Sequence, residues 1–391
     1  MRPGLGCGAA MSAYDAIVLG LGGMGAAALD HLARRGARVL GLEQFDLVHD
    51  RGSSHGETRI IRKAYFEHPA YLPLLHTAYA LWDDLQRESR ERLFERCGLL
   101  IAGRTDGPVI PGVRRAAALH QLAIEDVGVA AARRRFPMFA FDDDHAALFE
   151  ADGGLLRVEA CIAAHLDRAR RCGAETRARE EALHWFADEH GVTVTTRSGR
   201  YQAGRLVICA GAWAGRLLPK LRVSLRVRRK VQLWLRCDDA RYALAQGCPV
   251  FAHDLDDGFF YGFPALDGAT VKVALHTGGQ AVDDPSTLDR ALCDSDAPPV
   301  AAFARRYLPG VSSDVVRHSV CMYTMTPDEH FVIDRHPRHD RVAFAAGFSG
   351  HGFKFASVVG AVLADLALDG ATREPVEFLR LSRPALAAPM D

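Results

Sequence analysis

AIVLGLGGMGAAALDHLARRGARVLGLE, residues 16 to 43, carries the first supersecondary unit of the chain. AIVLG has the composition of a buried strand, the alanine-rich segment after the glycines has helical periodicity and is ended by Gly36, and ARVLGLE returns as a second strand closing on Glu43. Strand, glycine turn, helix and strand make a βαβ unit. Gly20, Gly22 and Gly25 stand in the spacing G-x-G-x-x-G. The first permits a tight turn, the second lets backbone approach a pyrophosphate, and the third lets the helix pack closely on the strand. Glu43, at about the expected 20-residue distance, is placed to accept from a ribose hydroxyl. The pattern specifies a dinucleotide site and leaves nicotinamide and flavin dinucleotides unseparated.

The bulk composition narrows the rest. A chain of 391 residues, 49% hydrophobic and 25% charged, has the length of two or three domains and enough apolar residues for large cores. Forty-eight basic residues balance 48 acidic ones, so no global field holds nucleic acid or an anionic membrane. There is no apolar run of spanning length and no continuous apolar core of a secretory signal, and the chain reads as cytoplasmic. The nine cysteines have neither C-x-x-C nor finger spacing, which argues against a disulfide framework and against a metal site. Residues 1 to 12 read as an unstructured leader, with Met11 an alternative start.

A second signal lies far downstream. RLVICAGAW, residues 205 to 213, is a buried-type strand ending in Ala210, Gly211 and Ala212, small residues that admit another backbone or a ligand. Between it and the first unit lie a helical stretch from about Tyr71 to Arg90, short strands, and a helix around Val158 to Arg171. Residues 221 to 320 are richer in strand-like alternation, as in VQLWLRC and TVKVALHT, and read as a separate sheet. The expected class is α/β: a Rossmann-like dinucleotide domain from 13–90, 151–220 and 321–391. It is interrupted by an α+β substrate domain, 91–150 and 221–320, on a mixed, largely antiparallel sheet.

Four stretches carry groups suited to chemistry. Alternation in ATVKVALHT places Lys272, Ala274 and His276 on one strand face, the two ionisable groups roughly 13 Å apart at about 3.3 Å per residue. In GSSHGETRIIRKAY, Arg59 and Arg62 bracket two isoleucines, and an arginine fork suits bidentate binding of a carboxylate. SVCMYTMTPDEHFVID holds Cys321 amid β-type residues; read alone, it is a small buried hydrophobe. GFSGHGFKFASVVG puts Lys354 after a run of glycines at the start of an apolar helix. The first, second and fourth are equally compatible with solvated faces on spacing alone, and Arg133 to Arg135 read as one.

Taken in order, GLGGMG, GSSHGETRIIR, FYGFP, VKVALHT, VCMYTMTPDEHFVID and GFSGHGFKF resemble the monomeric sarcosine oxidase and N-methyltryptophan oxidase family of flavoenzymes, over almost the whole chain after the leader. The resemblance implies FAD on Gly20, Gly22, Gly25 and Glu43, attached covalently through Cys321, with further contacts from Ser53, His55, Thr58, Gly211, Gly347, Gly350, Gly352 and Lys354. The isoalloxazine is then expected against the face carrying Arg59, Lys272 and Cys321. A helix begun by the turn Gly350 to Gly352 would aim its N–H groups and dipole at the flavin pyrimidine. By the same resemblance Arg62, Lys354 and Tyr323 bind the substrate, and Lys272, His276, Arg59 and Tyr261 form the catalytic set. Lys272 resembles the family's oxygen-activating lysine.

The implied reaction is oxidative demethylation by a monomer: a small sarcosine-like secondary amine and molecular oxygen give a primary amino acid, formaldehyde and hydrogen peroxide. N-Methyltryptophan or pipecolate is the alternative substrate. A nicotinamide-dependent dehydrogenase and a flavin dehydrogenase with a protein acceptor are other readings, and a non-catalytic binding protein has no use for Lys272 and Cys321 together. Phe260 and Ser54 stand where a Tyr and a His are common in the sarcosine enzymes, and Ala274 and Leu275 are less typical. These departures bear on substrate size.

Overall fold

The computed structural model describes residues 14 to 219, 221 and 223 to 387. The expected leader lies outside them. Strand Tyr14–Leu19 buries its last four residues completely, as an AIVL run must when both sheet faces are covered. It lies parallel between Val39–Leu42 and Arg200–Ile208. Glu175–Arg177 and His339–Ala346 extend this parallel set at its two sides, and three antiparallel strands complete an eight-stranded sheet.

Helix Gly23–Arg34 packs on this sheet between helices Val158–Arg171 and Ala356–Leu368. Its contact with the last helix is close enough that a Cβ on Gly360 would lie 2.5 Å from the Ala27 Cβ. A buried polar knot ties the helices together. Asp30 accepts from His165 at 2.7 Å and Arg168 at 2.6 Å, and Arg168 reaches Asp84 and Glu88 on helix Leu72–Glu88 at 3.1 and 3.2 Å. Burial opposes the Asp30 charge, yet these partners hold its pKa at about 2. The helix expected from about Tyr71 to Arg90 is Leu72–Glu88, preceded by a 3₁₀ turn at Pro69–Tyr71.

The second large sheet has nine strands. Arg226–Cys237 pairs antiparallel with Val311–Met325 on one side and with Thr270–Leu275 and Gln280–Val282 on the other. Beyond Thr270–Leu275 come Gly258–Phe263, Val250–Leu255, Leu99–Arg104, His145–Glu150 and Ile124–Asp126. The alternation read in ATVKVALHT is seen directly: Val271 and Val273 join a core under helix Ala297–Tyr307, while Ala274 belongs to the opposite face with Tyr261. A small third sheet, Thr58–Ile61 with Gly154–Arg157 and Phe94–Glu95, sets the start of the Arg59 to Arg62 segment. Among the described residues no helix is long and apolar enough to cross a membrane, and no group of three His, Cys, Asp or Glu is arranged to hold a metal.

One core residue of the nine-stranded sheet makes acid stability testable. His253 is fully buried, surrounded by the rings of Phe139, Phe141, Phe251, Phe303 and Tyr307, and neither ring nitrogen has a hydrogen-bond partner among the described residues. Burial pushes its pKa down to about 3, with His145 adding to the shift and Asp142 opposing it. Because the unfolded chain binds this proton and the folded one does not, the histidine costs no stability above about pH 6.5 and about 1.4 kcal/mol per pH unit below it. His253→Phe should therefore gain about 2 kcal/mol relative to wild type between pH 6.5 and pH 5, read by chemical denaturation at each pH. Parallel pH dependences for the two proteins would show that His253 is not the titrating group.

Candidate active site

At one end of the site three backbone segments are pressed together. Gly20 adopts φ +82°, and a Cβ there would lie 2.5 Å from the Cys209 carbonyl oxygen; a Cβ on Gly25 would lie 1.7 Å from the Gly20 oxygen. Only glycine tolerates both contacts. The Gly20 N–H donates to Leu42 O and the Cys209 N–H to Leu19 O, each at 2.8 Å, so the turn is fixed between the two parallel neighbours. Glu43 is buried beside it, accepting from the amides of Leu21 at 2.8 Å and Phe45 at 3.1 Å, with His49 Nε2 at 3.3 Å. A turn closed this tightly, with a fixed carboxylate at the end of the second strand, fits a dinucleotide.

A cavity of about 320 Å³ runs from this turn, past Cys209 to Gly211, to a cluster of polar side chains: Arg59, Arg62, Tyr261, His276, Tyr323 and Lys354. Gly347, Gly350 and Gly352 line it between the two ends. Gly350 has φ +83°, and a Cβ there would strike the Tyr323 ring at 2.4 Å, so glycine is what lets this turn lie against the tyrosine. The helix expected to start at this turn begins later. A 3₁₀ turn, Phe353–Phe355, intervenes before Ala356–Leu368, and Lys354 projects from the turn.

The polar end is charged and largely buried. Arg62 donates to Ala64 O at 2.6 Å and to Glu67 Oε1 at 2.5 Å, and its guanidinium lies 4.6 and 4.7 Å from the ring centres of Tyr65 and Phe66. Lys354 donates to His351 O at 2.7 Å, and burial, reinforced by the Arg62 charge, pushes its pKa down to about 7. Glu67 stays ionised, its pKa lowered to about 2 because Arg62, His351 and Lys354 outweigh its burial. His276 meets the Tyr323 hydroxyl at 3.3 Å, and burial together with the Lys230 charge pushes its pKa down to about 3. The hydroxyls of Tyr261 and Tyr323 are held protonated by burial.

Five expected site residues stand behind the lining. Lys272 donates to Gly56 O at 2.5 Å, Thr58 O at 2.9 Å and Thr58 Oγ1 at 3.1 Å; burial, then Arg59, pushes its pKa well down. Cys321 is buried, with Gln232 Nε2 at 3.6 Å from its sulfur. His55 bridges Gly52 O and Ser319 Oγ, each at 3.1 Å, and Gly25 faces the Gly20 carbonyl and Cys209. Ser53, which does line the cavity, donates to Met322 O at 2.6 Å, and Arg59 donates to Ser53 O at 2.8 Å. Sequence reasoning missed Glu67 and His351. His351 lies inside the glycine-rich stretch, bonded through Nδ1 to the Tyr65 hydroxyl and through Nε2 to Glu329 O at 3.0 Å. The only signal for Glu67 was an acid following closely on the RKAYF run.

A glycine turn shaped for a dinucleotide, opening into a channel that ends in cations and phenols, is the arrangement of a flavin-dependent oxidoreductase. Residues 15–366 match the family model described as FAD dependent oxidoreductase. The monomeric sarcosine oxidase of Streptomyces avermitilis is 43% identical over 382 residues, covering 96% of this chain and 98% of that protein. The N-methyl-L-tryptophan oxidase of Salmonella agona is 37% identical over 372 residues, covering 95% and 99%. Among solved structures, the open form of NikD, an unusual amino acid oxidase essential for nikkomycin biosynthesis, superposes with a TM-score of 0.84 at 26% identity over 95% of this chain and 98% of that one. The chain belongs to the FAD-dependent oxidoreductase family, in the group that holds the monomeric sarcosine and N-methyl-L-tryptophan oxidases.

Proposed function

We propose that this chain is a monomeric oxidase that demethylates a small N-methyl amino acid, releasing the primary amino acid, formaldehyde and hydrogen peroxide. The observation that carries this reading is the convergence of Arg62, Lys354, Tyr261, His276 and Tyr323 at the end of the cavity opposite the glycine turn. The names of the relatives support it. We take the two bodies to divide broadly as the sequence suggests, a cofactor unit around the parallel sheet and a substrate unit on the nine-stranded one, with strand Val311–Met325 crossing the expected boundary at 320 within the latter.

Bound FAD supplies the hydride acceptor and passes the electrons on to oxygen. Gly20, Gly22, Gly25 and Glu43 would hold its adenosine and pyrophosphate, and Ser53, His55, Thr58, Gly211, Gly347, Gly350 and Gly352 its remaining contacts, with Cys321 as the covalent attachment. Arg62 and Lys354 hold the substrate carboxylate. Glu67 offsets one of these cations, so a single negative charge on the substrate leaves the pocket near balance. Fixing the carboxylate orients the N-methyl group at the reacting position, which removes an entropic part of the barrier. The hydroxyls of Tyr261 and Tyr323 and the neutral ring of His276 face the amine and can hydrogen-bond it in the uncharged form that oxidation requires. Arg59 and Lys272 add positive charge on the same side, and Lys272 is the cation that stabilises negative charge as oxygen is reduced.

The purified yellow protein, given a panel of N-methyl and cyclic secondary amino acids, should release hydrogen peroxide and formaldehyde with the N-methyl compounds. Turnover that requires a nicotinamide cofactor instead would overturn the reading. In Cys321→Ala the flavin should be extracted by acid precipitation, whereas wild type keeps its colour in the pellet; flavin retained by the denatured variant would move the linkage elsewhere. Lys272→Met deletes the charge while keeping most of the stem. Stopped-flow absorbance should record a loss of about a hundredfold in reoxidation by oxygen, with anaerobic reduction within a few-fold of wild type. Equal losses in both half-reactions would make Lys272 a packing residue.

A further inference from the structure

Strand Arg226–Cys237 loses its neighbour in one place. Thr270–Leu275 pairs with it from Arg236 to Gln232, and Gln280–Val282 pairs from Arg229 to Val227. Between them residues 276 to 279 leave the ladder, opposite Lys230. The Lys230 side chain fills the break. Its Nζ donates to three successive carbonyls, His276 at 2.7 Å, Thr277 at 2.9 Å and Gly278 at 3.2 Å. Gly278 and Gly279 take φ of +66° and +111°, and a Cβ on Gly279 would lie 3.0 Å from Lys230 Cδ, so the loop is wrapped around the lysine as closely as backbone allows. Lys230 itself is buried, and among the described residues no carboxylate forms an ion pair with it.

Those contacts bear on the substrate end of the cavity. The loop that Lys230 holds begins at His276, whose amide donates to Phe259 O at 2.7 Å and whose ring meets Tyr323. The ammonium also lies 5.2 Å from the centre of the Tyr323 ring, and on its other side Lys230 is the cross-strand partner of Cys321. One buried cation thus touches the backbone of one amine-facing residue and the ring of another. Its charge is also the second cause, after burial, that keeps His276 neutral.

We propose that Lys230 is a positioning residue for amine oxidation: its ammonium replaces the missing strand ladder and fixes His276 and Tyr323 in the geometry that receives the substrate amine. A buried ammonium satisfied by carbonyl oxygens alone is costly to place and rigid once placed, because moving the loop strips it of its partners. Lys230 touches no reacting atom in this scheme. It acts through His276 and Tyr323, and the inference rests on the reading that their end of the cavity receives the amine.

Lys230→Met and Lys230→Arg test it in the flavin-loaded protein, with Lys230→Gln in place of the first if that variant is not recovered folded. The readouts are the ring resonances of His276 in histidine-labelled protein, assigned with His276→Asn, and the stopped-flow rates of reduction and reoxidation with an N-methyl amino acid. In Lys230→Met the His276 resonance should move and its titration rise, and kcat/KM for reduction should fall about tenfold or more while reoxidation stays within about twofold. Lys230→Arg, which keeps the charge and the donors, should recover most of the reduction rate. An unmoved His276 resonance with native reduction in Lys230→Met overturns the proposal, as does an equal loss in both half-reactions. If wild type oxidises no secondary amino acid the functional reading fails, and the His276 resonance still decides whether Lys230 sets that side chain.

Discussion

The carbonyl oxygen of Gly20 lies where a methyl group on Gly25 would be, 1.7 Å from a Cβ built there. Among the described glycines this is the shortest such approach, and it joins the first strand to the first helix at the point where the cavity begins. A side chain at Gly25 would push helix Gly23–Arg34 off the sheet, and with it the residues of the Ala27 to Gly360 contact and of the buried Asp30 knot. The Ala27 to Gly360 contact in turn seats helix Ala356–Leu368, whose leading turn carries Lys354. Backbone proximity at one glycine is thereby transmitted to the position of a cation at the far end of the cavity.

On the nine-stranded sheet the site face is organised in rows that cross the strands. Phe263, Lys272, Trp234 and Arg317 form one; Tyr261, Ala274, Gln232 and Ser319 the next; His276, Lys230 and Cys321 the third. Both buried lysines are satisfied by backbone carbonyls: Lys272 by Gly56 and Thr58, Lys230 by the loop after Leu275. Carbonyls supply hydrogen bonds without adding an opposite charge, so a protonated lysine here acts at close range in a low-dielectric setting, while burial disfavours that charge and Glu57 favours it at Lys272. Such a face favours bound carboxylate and any negative charge that develops during reaction.

Local signals made the first βαβ unit, the glycine spacing and the two faces of ATVKVALHT legible, because each depends on neighbours within a few residues. The strand around Val207 and the helix from Val158 to Arg171 were legible for the same reason. Glu67, His351 and Lys230 were not, since each has its meaning only through partners brought in by the fold: Arg62 with Lys354, Tyr65 with Glu329, and a gap in a strand ladder. The 3₁₀ turn at Phe353–Phe355 escaped notice because a glycine-rich lead into an apolar helix has the same local composition whether the α-helix starts at once or one turn later. The pairing order of the nine strands, which sets the rows of the site face, has no trace in any single stretch.

The parallel sheet that builds the cofactor end draws its strands from residues 14 to 346, and the helix covering the glycine helix ends at Leu368. During synthesis the segment bearing the dinucleotide fingerprint therefore emerges from the ribosome long before the surfaces that bury it. Helix Val158–Arg171 covers one side of this apolar helix partway through synthesis, but its other side stays open until helix Ala356–Leu368 is made, so the full closure is a contact of long sequence separation. The cavity draws its lining from Leu19 to Lys354, so the cofactor end is complete only once that whole span has been made, and the partly built parallel sheet presents unpaired edges until then.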